Sequence, residues 1–167
     1  MSVDETFVPD PENGRAFRDA LGRFATGVTV ITCRTEGGPL GITANSFAAV
    51  SLDPPLVLWS PGRFSRRFEA FAGARHFAVH VLGEEQGPLG EGFSASGEAF
   101  DGLCVRDNAE GCPVIDGCLA RFECAAYARH EGGDHDIVVG RVLRASAREG
   151  APLIFVSGAY GRFTSAA

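Results

Sequence analysis

Three short stretches combine residue types that can hold a ligand as well as build a fold. In Gly41-Ile42-Thr43-Ala44-Asn45-Ser46-Phe47, a threonine, an asparagine and a serine crowd a segment that otherwise reads as strand, with small Ala44, Ala48 and Ala49 beside them. Hydroxyl and amide groups of this kind hydrogen-bond a planar heterocycle, and small neighbours let backbone N–H groups approach it. An edge strand with solvated polar residues would show the same pattern. Ser60-Pro61-Gly62-Arg63-Phe64-Ser65-Arg66-Arg67 sets a glycine, a serine cap and three arginines at an expected helix start. Unpaired N–H groups and the positive end of a helix dipole favour a phosphate there, and Arg66 or Arg67 can add a charge-assisted contact. A solvated basic turn is the alternative. Gly132-Gly133-Asp134-His135-Asp136 puts a histidine between two acids on a glycine-rich turn, where it can orient a carboxamide or sense pH, or stand merely exposed.

Other chemistries lack their residues. There is no GxSxG, since Gly92-Phe93-Ser94-Ala95 misses the closing glycine, and no carboxylate pair suited to glycoside hydrolysis can be assigned. No Walker or GxGxxG pattern supports a P-loop or Rossmann fold. All 15 basic residues are arginine, which excludes a Schiff-base or P-loop lysine. The net charge of −6 speaks against broad nucleic-acid binding. Cys33, Cys104, Cys112, Cys118 and Cys124 are odd in number, contain no CxxC and match no zinc spacing, so reduced structural thiols and no metal are expected. His76, His80 and His130 are isolated; His80 is expected to be wet or satisfied locally.

The elements that must position these stretches follow from periodicity. At 167 residues the chain suits one domain, expected over 14–167 after a flexible lead-in at 1–13. A composition of 45% hydrophobic and 22% charged residues excludes wholesale disorder, and no apolar run reaches the ~18–20 residues of a membrane helix. MSVDETFVPDPENG lacks the basic and apolar regions of a signal peptide, so a cytoplasmic location is expected. Asn13 can cap a helix over 15–25 that Gly27 stops, with Ala16, Phe17, Ala20, Leu21, Phe24 and Ala25 on one stripe. Strands are expected over 28–33, 40–48, 56–59 and 77–82, two long ones near 118–130 and 135–147, and a last one near 152–157. A helix is expected from Ser65, with Phe68 and Phe71 inward, and a short one around 85–95 within an irregular stretch over 84–117. Many strands and few helices predict a mainly β fold, a β-barrel with peripheral helices.

The ordered set of segments resembles the short-chain flavin reductases, the reductase components of two-component flavin-dependent monooxygenases. The resemblance rests on Phe24-Ala25-Thr26-Gly27-Val28-Thr29-Val30-Ile31-Thr32, on Gly41 to Phe47 running into Val50-Ser51-Leu52-Asp53-Pro54-Pro55-Leu56-Val57-Leu58, and on Phe77 to Leu82. It continues through Gly133-Asp134-His135, Val139-Gly140-Arg141-Val142 and Pro152-Leu153-Ile154-Phe155, with Gly158 and Tyr160. It implies an FMN-binding split barrel, Greek-key-like, working as a homodimer with each flavin near the subunit interface. It also implies that Thr43, Ala44, Asn45, Ser46, Val50 and Ser51 line the flavin ring and ribityl chain, that Ser60, Gly62, Ser65 and Arg66 hold its phosphate, and that Phe93 and Ser94 add contacts. His135, Gly158 and Tyr160 fall where such enzymes receive the nicotinamide dinucleotide.

Hydride transfer from NADH to FMN or FAD needs no protein acid or base, so none is assigned; FMN and NADH are favoured, with FAD and NADPH as alternatives. Reduced flavin would pass by diffusion to a partner monooxygenase. Two rival readings stay open: a split-barrel oxidase that keeps its flavin, as pyridoxamine phosphate oxidases do, and a non-catalytic flavin-binding module. In family members asparagine often stands at position 80, lysine at 66 in some, and serine at 67 in some.

Overall fold

The computed structural model describes residues 6–165. The chain runs α1 (Gly14–Leu21), β1 (Thr26–Gly27), β2 (Thr29–Thr35), β3 (Gly38–Ala44), β4 (Ala48–Leu52), β5 (Pro55–Trp59), α2 (Phe68–Ala72) and β6 (His76–Val81). A 3₁₀ turn at Glu84–Gln86 leads into α3 (Gly87–Ala95), followed by β7 (Val105–Asp107), β8 (Pro113–Ile115), β9 (Ala120–Gly132), β10 (His135–Ala147), β11 (Leu153–Val156) and β12 (Ala159–Arg162).

Seven strands form one antiparallel sheet in the order β3-β2-β6-β9-β10-β5-β4. One end of that order and the strand next to its other end supply side chains to one core: Leu40 and Ile42 from β3 and Val57 and Trp59 from β5 pack with Ile31, Phe77, Val79, Cys124 and Val138. A sheet in which strands from its two opposite sides share a core has curled on itself, which the alternating β-branched and aromatic residues of β2, β5 and β6 permit. Ser46 fastens the curl, its Oγ accepting a 2.9 Å hydrogen bond from the Ser60 N–H. A second core joins the three-stranded sheet β1-β11-β12 to α3 through Val28, Val30, Leu82, Phe93 and Leu153.

Several expected boundaries move. The first helix ends at Gly22, not at Gly27, which lies in β1. Asn13 does not cap it; its side chain accepts from the Asp10 N–H and donates to the Val8 carbonyl. The helix expected from Ser65 starts only at Phe68 and has 5 residues; Ser65 Oγ accepts from the Arg67 N–H at 3.2 Å within the preceding turn. A helix this short adds little dipole to the arginine loop. β1, β7, β8 and β12 escape the sequence reading because 2 to 4 residues carry no periodicity. Residues 1–5 of the expected 1–13 lead-in lie outside the described residues.

His80 is satisfied but neither wet nor local. It is fully buried, donates from Nδ1 to the Val30 carbonyl at 2.9 Å and accepts at Nε2 from the Ile115 N–H at 3.0 Å. Those two bonds fix the neutral tautomer. Burial pushes its pKa down to about 4. All five cysteines are free thiols, and burial drives those of Cys33, Cys112 and Cys124 up to about 12, so they act as apolar filling.

Candidate functional site

The ring-binding candidates sit where β3 ends beside α3. Thr43, Ala44 and Asn45 line a cleft with Ser94, Val28, Phe155 and Tyr160. Thr43 reaches this place because its Oγ1 donates to the Gly90 carbonyl of α3 at 2.6 Å, tying strand to helix. Asn45 is exposed, and its amide makes no side-chain hydrogen bond among the described residues. The cleft opens into a groove lined by Glu91, Ser94, Ala95, Phe155, Gly158 and Tyr160. Burial, reinforced by nearby Glu91, raises the Tyr160 pKa, so the phenol stays a protonated donor.

Past Ala95 the surface continues into a groove of about 690 Å³ between the arginine loop and the end of α3, lined among others by Ser65, Arg66, Arg67, Ser96 and Glu98. Arg66 is exposed and makes no hydrogen bond or ion pair among the described residues. Arg67 is committed differently: Nη1 donates to the carbonyls of Gly41 at 3.0 Å and Phe93 at 2.6 Å, and Nη2 to that of Ser94 at 3.1 Å.

The loop is held from its other side by the β9–β10 turn. Gly62 forms a single antiparallel bridge with His135; Arg63 N donates to the Asp134 carbonyl at 2.9 Å and Asp136 N to the Pro61 carbonyl at 3.1 Å. The buried Asp136 carboxylate takes Arg63 Nε at 2.6 Å and Arg129 Nε at 3.4 Å. His135 Nδ1 lies 2.8 Å from Asp134 Oδ1, a bond that holds the Asp134 carboxyl below its ordinary range. A side chain at position 62 would bring its Cβ to 3.3 Å from His135 Nε2, so glycine there allows loop and histidine to meet.

The structure thus gathers Thr43, Ala44, Asn45, Ser94, Gly158 and Tyr160 around a cleft and its adjoining groove, with Ser65 and Arg66 in a second groove that meets the first at Ala95. Ser46 and Ser60 bond each other just behind the cleft. It does not bring His135 to Tyr160: the histidine faces Gly62 and lines neither the cleft nor its groove. Val50 and Ser51 lie at a bulge in β4, outside the cleft and both grooves, with Val50 half exposed. Phe93 has no exposed surface; it lies in the core beneath Gly41 and edge-on to Phe100. Phe155 and Glu91 line the site without having been singled out as site residues. A legible signal was Gly87 and Gly90, three apart on one helix face, where a Cβ at 90 would come within 2.8 Å of Tyr160 Oη.

Residues 21–164 match the family model described as the flavin reductase like domain. FMN reductase (NADH) SmoA from Agrobacterium fabrum is 57% identical over 164 residues, spanning 98% of this chain and 94% of its own. The reductase subunit HsaB of a flavin-dependent monooxygenase from Rhodococcus jostii is 43% identical over 148 residues, spanning 87% of this chain and 76% of its own. Among solved structures, NADH:FAD oxidoreductase SgcE6 of Streptomyces globisporus C-1027, in complex with NAD and FAD fragments, superposes with a TM-score of 0.85 at 37% identity, covering 95% of this chain and 98% of that one.

Proposed function

The chain belongs to the flavin reductase-like domain family, and from that membership we propose that it oxidises NADH with FMN or FAD and supplies the reduced flavin to a separate flavin-dependent monooxygenase. The observation that carries this reading is the near full-length 57% identity to an FMN reductase that uses NADH. The flavin supplies a two-electron acceptor when bound: NADH, flavin and a solvent proton give NAD⁺ and reduced flavin.

The residues present fit such a group. The cleft offers at Asn45 an amide and at Ser94 a hydroxyl, and the arginine-loop groove offers the Arg66 guanidinium; Asn45 and Arg66 are unpaired among the described residues, and all three are donors for a heterocycle and a phosphate. In our reading Thr43, Ala44 and Asn45 border the ring with backbone and amide groups, and Ser94 donates from α3. Ser65 and Arg66 hold the phosphate by charge and hydroxyl without help from a helix dipole. Ser46, Ser60 and Gly62 act behind them by fixing the loop. Tyr160, on the floor of the adjoining groove with Gly158, donates to the nicotinamide or its ribose and excludes water from the hydride path.

We further infer a cytoplasmic homodimer built on one domain from residue 14. The cleft of about 140 Å³ is open to the adjoining groove, so one protomer encloses a ring system only in part. Phe64 in the arginine loop and Leu52 at the end of β4 are 92% and 97% exposed, large apolar side chains of the kind a second copy covers. A homodimer also gives His135 a route to the nicotinamide, across the interface.

The test is NADH oxidation under air at 340 nm with FMN, FAD, riboflavin or no flavin, together with light scattering of the protein in solution. Flavin-dependent turnover by a dimer is expected. Flavin retained through gel filtration, with no NADH turnover on added flavin, would favour an oxidase and overturn the reductase assignment.

A further inference from the structure

The groove that receives the flavin phosphate in the proposed function has an electrostatic obstacle that Arg67 removes. One wall is the C-terminal end of α3, a nine-residue helix whose last carbonyls carry the negative end of its dipole, roughly half an elementary charge. Glu98, exposed on the same wall, adds a full negative charge. A phosphate approaching Ser65 and Arg66 therefore faces a surface that would repel it.

We infer that Arg67 is a specificity-determining positioning residue: its guanidinium neutralises the carbonyl end of α3, and this lets the groove prefer phosphorylated flavins over riboflavin. The geometry is that of a cation capping a helix C-terminus. Two of its three hydrogen bonds go to Phe93 and Ser94, in the last turn of α3, and the third to Gly41 of β3. The side chain is seated for this task. Gly97 lies against its stem, where a Cβ would stand 3.0 Å from Arg67 Cδ and 2.6 Å from Leu40 Cδ1. Arg66 needs no such help and remains free to meet the phosphate directly. The two adjacent arginines thus divide the work, Arg66 toward the ligand and Arg67 toward the wall behind it. A guanidinium suits this role because its planar fork serves several carbonyls at once and stays charged when partly desolvated. Desolvation does lower its proton affinity here, from the usual arginine value.

The inference rests on the flavin-binding reading, and its test is binding, not turnover. Dissociation constants for FMN and riboflavin would be measured by flavin fluorescence quenching, without NADH, on wild type, R67M and R67K, with circular dichroism to verify folding. R67M is expected to weaken FMN about fivefold, the effect of one charge acting across a solvated groove, while riboflavin changes less than about twofold. R67K, which keeps the charge and loses the fork, is expected to retain most of the FMN preference. Equal weakening of both flavins in R67M, with R67K no better, would overturn the inference and leave Arg67 a structural tie. Should R67M not fold, R67Q takes its place: a lowered FMN-to-riboflavin preference supports the inference and an unchanged preference overturns it. Wild-type protein that binds neither flavin would instead overturn the flavin reading itself.

Discussion

His80 makes the stability of this fold depend on pH in a way that can be computed from its surroundings. The imidazole is sealed between β2, β6 and β8, with one nitrogen donating to Val30 and the other accepting from Ile115. Protonation would turn the accepting nitrogen into a donor facing the Ile115 N–H. Burial dominates the depression from 6.5 to about 4; the Val30 hydrogen bond opposes it, the Arg121 charge adds to it, and Glu123 and Asp116 work against it. The folded chain therefore binds this proton more weakly than the unfolded chain, and between pH 6.5 and 4 only the unfolded state takes it up. The resulting stability is present in full above pH 6.5 and is lost as pH falls toward 4. At about 1.4 kcal/mol per pH unit, the interval amounts to about 3 kcal/mol. Carboxylates titrate in part of the same range, so the measurement must isolate the histidine. Urea unfolding of wild type and H80N at pH 7 and pH 4 does so, because asparagine does not titrate. H80N is expected to be less stable at pH 7, having lost the Ile115 partner, and to lose about 3 kcal/mol less than wild type on acidification. Equal losses in the two proteins would refute the argument.

Gly90→Ala places a methyl group 2.8 Å from Tyr160 Oη and so displaces the phenol; the NADH KM is expected to rise about tenfold in steady-state assays, with FMN binding changed far less. Ser46→Ala leaves the Ser60 N–H without its acceptor and is expected to cost about 1–2 kcal/mol in urea unfolding, with a weakened affinity for every flavin because the loop is no longer fixed. Arg66→Gln removes the groove's unpaired cation; FMN should bind about tenfold more weakly by fluorescence titration, an effect that shrinks as salt is raised. Gly41→Ala drives a Cβ to within 2.4 Å of the Phe93 ring and should destabilise the fold by about 1–3 kcal/mol in the same unfolding assay.

Local chemistry determined a good part of this protein. The β-branched run from Val28 to Cys33, the breaker at Asp53-Pro54-Pro55 and the glycine turn at 132–133 placed β2, β5 and the β9–β10 hairpin close to where they lie, because these signals act within a few residues of chain. The ordered segments from Phe24 to Tyr160 likewise carried the family, whose model spans 21–164. The division of labour among polar residues was not legible, because hydroxyls and guanidinia look alike in a sequence until their partners are known. Ser65 read as a helix cap, yet the helix begins three residues later. By spacing alone Arg66 and Arg67 were equivalent cations, and only the family resemblance favoured Arg66; folding brought Gly41, Phe93 and Ser94 to Arg67 and left Arg66 open. Phe93 became the floor beneath Gly41. His80 found partners 50 and 35 residues away. Sequence spacing fixes what neighbours along the chain can do; only the curled sheet decides which distant carbonyl or N–H a side chain meets, and that meeting assigns its role.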